Sequence, residues 1–201
     1  AAHITHSGQK LYTQLVEENR RRTRNDPEFE LLDTGVFDDD RYFDVFVEYA
    51  KASPEDLLVR IEVINRGSQP AELTLLPTLW IRNTWSWGLD VRRPRMRKGR
   101  ALPGVSVVEF DHDYYGRRQL LCEGAPELLF TENETNTQRL YGDAEGERYV
   151  KDSFHAYVVQ GEKAAVNPDQ VGSKAAAHYV GSTQPGQPVS IRLRFTNGSS
   201  E

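Results

Sequence analysis

The sequence predicts a mainly β protein, an antiparallel β-sandwich with a short N-terminal helix. Hydrophobic residues after Pro27 alternate with polar ones at a period of two, and turn residues separate the alternating segments. One stretch near the N-terminus instead has the spacing of an amphipathic helix, and no βαβ rhythm follows it. Many short alternating strands behind a single helix are typical of a sandwich.

The helical stretch is predicted to run from Lys10 to Arg24. Its apolar residues recur at helical offsets, and its acidic residues precede its basic ones, as the helix dipole favours. Residues 1–9 show no periodicity and are interpreted as an unpatterned tail or an artificial junction. We expect residues 10–196 to form one sandwich domain and residues 197–201 to be the stub of a linker.

The first two strands are predicted to form a hairpin around a turn at residues 52–56. Each strand has one apolar face, formed by Phe43, Val45, Val47 and Tyr49 on the first and by Val59, Ile61 and Val63 on the second. A third strand over residues 73–81 contains Pro77, which predicts a sheet edge or a bulge. Further strands are expected over residues 105–110, 119–122, 127–131, 175–180 and 189–195.

Composition narrows the functional class. A net charge of −5 argues against a general nucleic-acid binder, which needs an excess of basic residues. The single cysteine, Cys122, cannot form a disulfide within the chain, so a reducing, cytoplasmic location is expected. No apolar run approaches the length of a membrane span, so we expect no membrane partner.

All three tryptophans lie within residues 80–87. The strand phase places Trp80 on the face opposite Leu79 and Ile81, while Trp85 and Trp87 follow beyond the strand end. A tryptophan offers a large apolar face and one N–H donor, which suits a core corner, docking against another domain or stacking on a sugar ring. These three interpretations stay open at the level of the sequence.

Recognisable catalytic motifs are missing from the sequence. The acidic run Asp38–Asp40 is interpreted as a solvated turn, and the basic run Arg92–Arg100 as an exposed loop. The five histidines are dispersed without zinc spacing. No nucleophile elbow, P-loop, dinucleotide fingerprint or HExxH motif is present. The sequence therefore predicts no catalytic residue, no metal and no cofactor.

Four segments resemble the N-terminal region of large bacterial proteins in glycoside hydrolase family 63, the mannosyl-oligosaccharide glucosidase relatives. These segments are residues 31–37, 41–51, 77–88 and 167–179. The resemblance implies a super-sandwich similar to galactose-mutarotase-like folds, which in the family precedes an (α/α)6 barrel. That barrel carries the inverting chemistry, so the resemblance assigns no catalytic residue to this chain.

The resemblance leads to the expectation of a non-catalytic accessory domain of a glucosidase-like hydrolase. Its partners would be the (α/α)6 barrel of the same parent chain and, as a further partner, an oligosaccharide. The residues expected to dock the barrel or contact substrate are Trp80, Arg82, Asn83, Trp85, Trp87, Asn167 and Lys174. The alternative is an independent carbohydrate-binding module with the tryptophans as a stacking platform.

A third hypothesis is a sugar epimerase, because mutarotases use a His/Glu pair in a sandwich cleft. The internal histidines are His112, His155 and His178. Nothing in the sequence ties a glutamate to any of them.

Overall fold

The structure, a computed structural model, describes residues 6–88, 92–100, 102–143 and 145–198. It is a mainly antiparallel β-sandwich with a short N-terminal helix, as the sequence predicts. The strands are β1 Phe43–Ser53, β2 Asp56–Asn65, β3 Ala71–Leu75, β4 Thr78–Trp80, β5 Arg95–Lys98, β6 Val105–His112, β7 Gly116–Glu123, β8 Glu127–Thr131, β9 Val171–Gly172, β10 Lys174–Thr183 and β11 Pro188–Thr196. The α-helices are α1 His6–Arg21, α2 Thr137–Tyr141 and α3 Ser153–His155.

Helix α1 confirms the predicted N-terminal helix but starts and ends a few residues earlier. Residues 6–9, which show no hydrophobic periodicity in the sequence, also belong to it. The helix ends where the side chain of Asn19 bonds to Phe29, accepting from its N–H at 2.8 Å and donating to its carbonyl at 2.8 Å. Residues 1–5 lie outside the described residues.

Seven strands form the long sheet, in the order β1-β2-β11-β7-β6-β5-β9. The predicted β1–β2 hairpin is confirmed, with the chain reversing at Pro54–Glu55. The short sheet is centred on β10, which pairs with β3 and β4 along one edge and with β8 along the other. The two sheets pack face to face and give the sandwich.

Pro77 interrupts the edge strand of the short sheet. β3 and β4 pair with β10 in one uninterrupted register, so they are two halves of a single strand. Proline has no N–H to donate, but its carbonyl accepts from the N–H of Ala177 at 3.0 Å. The predicted edge position of Pro77 is therefore confirmed among the described pairings.

The basic run from Arg92 was predicted as an exposed loop, and this is wrong for residues 95–98. They form β5, which pairs with both β6 and β9 inside the long sheet. Met96 is fully buried in the core, while Arg97 on the opposite face pairs with Glu109 of β6. Alternation is present here, but a single apolar residue among arginines is too weak a signal to predict a strand.

Two apolar clusters hold the layers together. The main core between the sheets includes Met96, Phe110 and Phe130 with Ala175 and Ala177 of β10. A second cluster lies on the outer face of the short sheet, where residues of α3 and the following helical turn cover Leu129 and Ala176. The short sheet is thus covered on both faces, and helical segments add a third layer.

No helix among the described residues is long and apolar enough to cross a bilayer. Cys122 of β7 is fully buried in the main core, and burial raises the pKa of its thiol to about 12. Its thiol is therefore protonated and inaccessible in the folded protein.

Gly172 of β9 provides a test of the packing between the sheets. A Cβ added there would lie 2.2 Å from the carbonyl oxygen of Thr131, a backbone atom that cannot move aside alone. We expect Gly172→Ala to cost about 1–3 kcal/mol or more of unfolding free energy, as overpacking does. The measurement is the midpoint of urea unfolding at unchanged m-value.

Gly181 of β10 is the matched control, because a Cβ there meets open space. Gly181→Ala should leave the midpoint unchanged or raise it by an amount equivalent to about 0.4–1 kcal/mol, since alanine restricts the unfolded chain. Equal midpoints for the two variants would contradict the packing described for β9.

Candidate functional site

The tryptophan segment follows the outer end of the short sheet. After β4 the chain forms a 3-10 turn over Trp85–Trp87, which ends at Gly88 in the left-handed conformation at φ 70°. Trp80 and Trp87 are 55% and 59% exposed, and Trp85 is half-buried. The core-corner interpretation is therefore wrong for Trp80 and Trp87.

Glu134 holds the indole of Trp85 through a hydrogen bond. The indole N–H of Trp85 donates to one carboxylate oxygen of Glu134, and the side-chain amide of Asn83 donates to the other at 2.7 Å. The oxygen of the same Asn83 amide accepts from the N–H and hydroxyl of Ser86 at 3.1 and 2.8 Å. Asn83 therefore shapes the turn that presents Trp87.

Arg93 connects this anchor to two more carboxylates. Its guanidinium lies 2.7 Å from Glu147 and 3.4 Å from each of Glu132 and Glu134. Burial lowers the pKa of Arg93, but the hydrogen bond that Arg93 donates to Glu147 and the three negative charges outweigh burial and hold that pKa above its usual value. Glu132 also accepts from the hydroxyl of Ser173. The carboxylates of Glu132 and Glu134 both accept hydrogen bonds from donors that the fold holds in place. This network therefore supports the turn that carries Trp85 and Trp87.

Sequence reasoning missed this network. Glu132 and Glu134 come directly after β8 at alternate positions, which is the spacing of two side chains on one face of an extended chain. That signal exists in the sequence, but their common partner Arg93 lies about forty residues away in the basic run. Only the pairing of strands brings the three groups together.

Lys174 lies beside Trp80 on the neighbouring strand of the short sheet. The two residues are register partners on β10 and β4. The ammonium of Lys174 donates to the carbonyl of Lys151 at 3.1 Å and lies 5.0 Å from the ring centroid of Phe154. Burial, supported by the charge of Lys151, lowers the pKa of Lys174.

These side chains line one open groove along the edge strand of the short sheet. The groove encloses about 1620 Å³ and has two parts. The part that we call the tryptophan groove is formed by Trp80, Asn83, Ser86, Trp87, Asn133, Glu134, Thr135, Lys151 and Lys174. Arg82 stands beside it, with its guanidinium carbon 5.2 Å from the ring centroid of Trp87.

Six of the seven predicted site residues therefore lie in or around the tryptophan groove. Asn167 does not line it. Its side chain closes its own loop, donating to the carbonyl of Val171 at 2.8 Å and accepting from the N–H of Asp169 at 3.0 Å. Asn167 instead lines a second cleft of about 690 Å³ on the outer face of the short sheet.

The second cleft contains a hydrogen-bonded group that the sequence did not reveal. The carboxylate of Glu127 accepts from the hydroxyl of Tyr157 at 2.7 Å and lies 3.1 Å from the Nδ1 of His178. Glu127 and His178 are register partners on β8 and β10, so the sheet itself brings this pair together. Lys163 lies 3.8 Å above the ring of Tyr157.

The sequence ties no glutamate to an internal histidine, but the structure places Glu127 beside His178. The pair is fifty-one positions apart in sequence, and only the strand register reveals it. Its location also differs from the requirement of the epimerase hypothesis, because it lies on the outer face of the short sheet and not between the two sheets.

The fold and the tryptophan groove define a β-sandwich with a rigidly supported aromatic surface. No family model matches the chain. The chain is 33% identical over 218 residues to the uncharacterized protein YMR196W of Saccharomyces cerevisiae. The similarity covers 92% of this chain and 20% of the yeast protein. The chain thus spans about a fifth of the length of that relative.

Glu134→Ala tests the anchor beneath Trp85. The change removes the acceptor for two N–H donors and one partner of Arg93, so we expect a loss of about 2 kcal/mol in unfolding free energy. We also expect a red shift of tryptophan emission as Trp85 becomes hydrated. The matched control is Glu145→Ala at an exposed position, which should cost under about 0.5 kcal/mol. Unchanged emission in Glu134→Ala would show that the anchor does not hold the indole.

The Glu127 group predicts a pH dependence. Burial raises the pKa of Glu127, but the hydrogen bonds from His178 and Tyr157 outweigh burial and lower that pKa. A depressed carboxyl pKa stabilises the fold above the unfolded value of about 4.3, and this stabilisation is lost as the pH falls through the folded pKa.

We therefore expect the urea midpoint of Glu127→Gln to lie below that of the unmodified chain at pH 7. The difference should shrink as the pH falls from about 4.3 through the lower folded pKa, because Glu127 is protonated in both states only below the folded pKa. Glu145→Gln is the matched control. A difference that stays constant from pH 7 to pH 3 would contradict the assigned cause.

Proposed function

We propose that this chain is a non-catalytic accessory domain of a glucosidase-like glycoside hydrolase. In this proposal it packs against an (α/α)6 catalytic barrel carried by the same parent polypeptide. The observation that carries the proposal is the pair of exposed indoles, Trp80 and Trp87, held on a rigid scaffold beside a groove. Large aromatic side chains are expensive to expose and are enriched at interfaces.

The difference in length between this chain and its yeast relative supports the proposal that the chain is part of a larger protein. Residues matching this chain make up 20% of the yeast relative, which leaves about four fifths of that protein for other domains. The four segments that resemble glycoside hydrolase family 63 supply the class of enzyme. A cytoplasmic location is proposed on the same footing, since Cys122 is a free, buried thiol.

A supporting role for this domain agrees with the chemistry of the groove. Glu134, which accepts from the indole of Trp85, and Glu132 are both in contact with Arg93. An inverting glycosidase needs one carboxylic acid to protonate the leaving oxygen and one free carboxylate to activate water. Carboxylates that fixed donors occupy are poorly suited to either task.

The alternative is a carbohydrate-binding module that acts independently. The specific observation in its favour is that the polar residues Asn83, Ser86 and Thr135 line the same groove as the two exposed indoles. Aromatic faces that stack on a sugar, together with side chains that bind its hydroxyls, form a common type of ligand site. In this alternative the groove is occupied by glycan and not by the barrel.

Hydrolysis of an aryl α-glucoside by the purified chain tests the proposal. We expect release of the aryl group at the rate of the buffer blank, because Glu134, the acidic residue that lines the tryptophan groove, is occupied by fixed donors. Glu134→Ala serves as the reference variant. Turnover that is present in the unmodified chain and abolished in Glu134→Ala would overturn the non-catalytic assignment.

Fluorescence titration with glucose, maltose and mannose oligomers separates the two candidate functions. The accessory domain is expected to show no saturable change in tryptophan emission. A saturable change lost in Trp80→Ala and Trp87→Ala, and kept in Tyr114→Ala, would favour the carbohydrate-binding module. Tyr114 is the matched control because it is an aromatic residue 85% exposed in the β6–β7 turn, outside the groove.

A further inference from the structure

The sandwich is open along one side. β1 forms one edge of the long sheet, and the β3–β4 strand forms an edge of the short sheet. The inner faces of both line the apolar part of the groove, which we call the open mouth and which contains Val45, Val47, Tyr49, Val59, Ile61, Leu73 and Leu75. In a finished sandwich such side chains lie between two sheets.

β1 is the most exposed apolar strand of the long sheet. It has eleven residues, of which Val45, Phe46, Val47 and Tyr49 are 51%, 50%, 45% and 69% exposed. Its partner β2 has the same alternation, yet Val63 opposite Val45 is fully buried. β1 is therefore exposed because no described strand or helix packs over its apolar face, and not because its sequence is polar.

β1 has few of the features that protect natural sheet edges. It contains no proline and is long, and β-bulges are confined to its last residues, between Lys51 and Ser53. Its acidic residues Asp44 and Glu48 alternate with the inner residues. Glu48 forms an ion pair with Arg60 of β2, and Asp44 forms one with Arg66, the residue directly after β2. Lys51 is the one charge that the alternation places on the inner face of this strand.

We propose that β-strands from the polypeptide outside residues 1–201 complete this sandwich by pairing with β1 and with the β3–β4 edge. These strands would be amphipathic, with alternate apolar side chains packing onto Val47, Tyr49 and Leu75. Strand addition satisfies the free N–H and C=O groups of an edge and buries its apolar face in one step.

The length of the relative favours this occupant. The yeast protein is similar to nearly all of this chain and has about four fifths of its length outside the match, so polypeptide is available to supply strands. A second copy of the chain fits less well. Two β1 strands paired about a two-fold axis would extend the long sheet but leave the β3–β4 edge and Leu73 uncovered.

The inference goes beyond the proposed function and does not depend on it. Added strands complete the sandwich whether or not the parent protein hydrolyses glycosides or binds sugar. A failed test of sugar binding or docking leaves this inference intact, and the reverse also holds.

Cysteine labelling tests the inference, because Cys122 is buried and its thiol does not react in the folded chain. Tyr49→Cys reports on the open mouth, and Lys51→Cys is a second reporter on the same face. Tyr114→Cys is the matched control in the β6–β7 turn. Each variant is made in the 201-residue chain and in the polypeptide encoded by the native gene, and the rate of maleimide labelling is measured.

We expect both reporters to label at least tenfold more slowly in the native polypeptide, while Tyr114→Cys labels at equal rates in both. Hydrogen exchange of residues 43–53 should show a matching change. The β1 amides that point away from β2 exchange rapidly in the 201-residue chain and become protected when a strand pairs with them.

Three results would overturn the inference. The first is equal labelling of Tyr49→Cys in the two proteins, and the second is a native polypeptide that ends at residue 201. The third is protection of Tyr49→Cys in the 201-residue chain that rises with protein concentration alongside a dimeric mass in light scattering. That last result would assign the open mouth to a second copy.

Discussion

The structure depends on the close packing of three successive alanines in β10. Ala175 and Ala177 face the long sheet, and Ala176 faces the helical layer, with all three fully buried. Small side chains let bulky residues such as Phe130 and Phe154 approach the strand from its two sides, so one strand is the common wall of both clusters. The same strand pairs with β4 and β8 at its two edges. Lys174 of β10 lines the tryptophan groove, and His178 of the same strand contacts Glu127, which lines the second cleft.

A second constraint acts beyond the strands, where the chain has no sheet to hold it. The turn that presents Trp87 is fixed by Asn83, and Asn83 is fixed by Glu134, which Arg93 also contacts. Asn83, Glu134 and Arg93 are bonded to one another or to Trp85, so these hydrogen bonds and ion pairs offset the cost of burying the charges of Glu134 and Arg93. The exposure of Trp80 and Trp87 is thus a property of an ordered surface. A flexible loop would allow its tryptophans to collapse onto the nearest apolar face.

The sequence predicts the fold wherever apolar residues are numerous enough to show their period. The β1–β2 hairpin, the edge position of Pro77 and the strands from β6 to β8 follow from alternation. β5 was missed because Met96 is its only apolar residue, and β9 because it has two residues. Six of the seven site residues converge because most of them are neighbours along the chain. Asn167 does not, since a loop position gives no phase. Contacts between distant strands, such as Arg93 with Glu132 and His178 with Glu127, depend on register and leave no local trace.

The open mouth and the tryptophan groove share one wall, the β3–β4 strand. Its inner residues Leu73 and Leu75 face the mouth, and Trp80 at its end faces the groove. A strand that pairs with the β3–β4 edge, as proposed above, would therefore lie close to Trp80 and contribute to the shape of the tryptophan groove. An occupant along β3–β4 would narrow the approach to Trp80 while leaving Trp87, which lies beyond the strand end, more accessible. In the completed sandwich proposed above, the two tryptophans would not be equivalent: Trp80 would be the better placed for a contact with the added strands, and Trp87 would stay open to solvent.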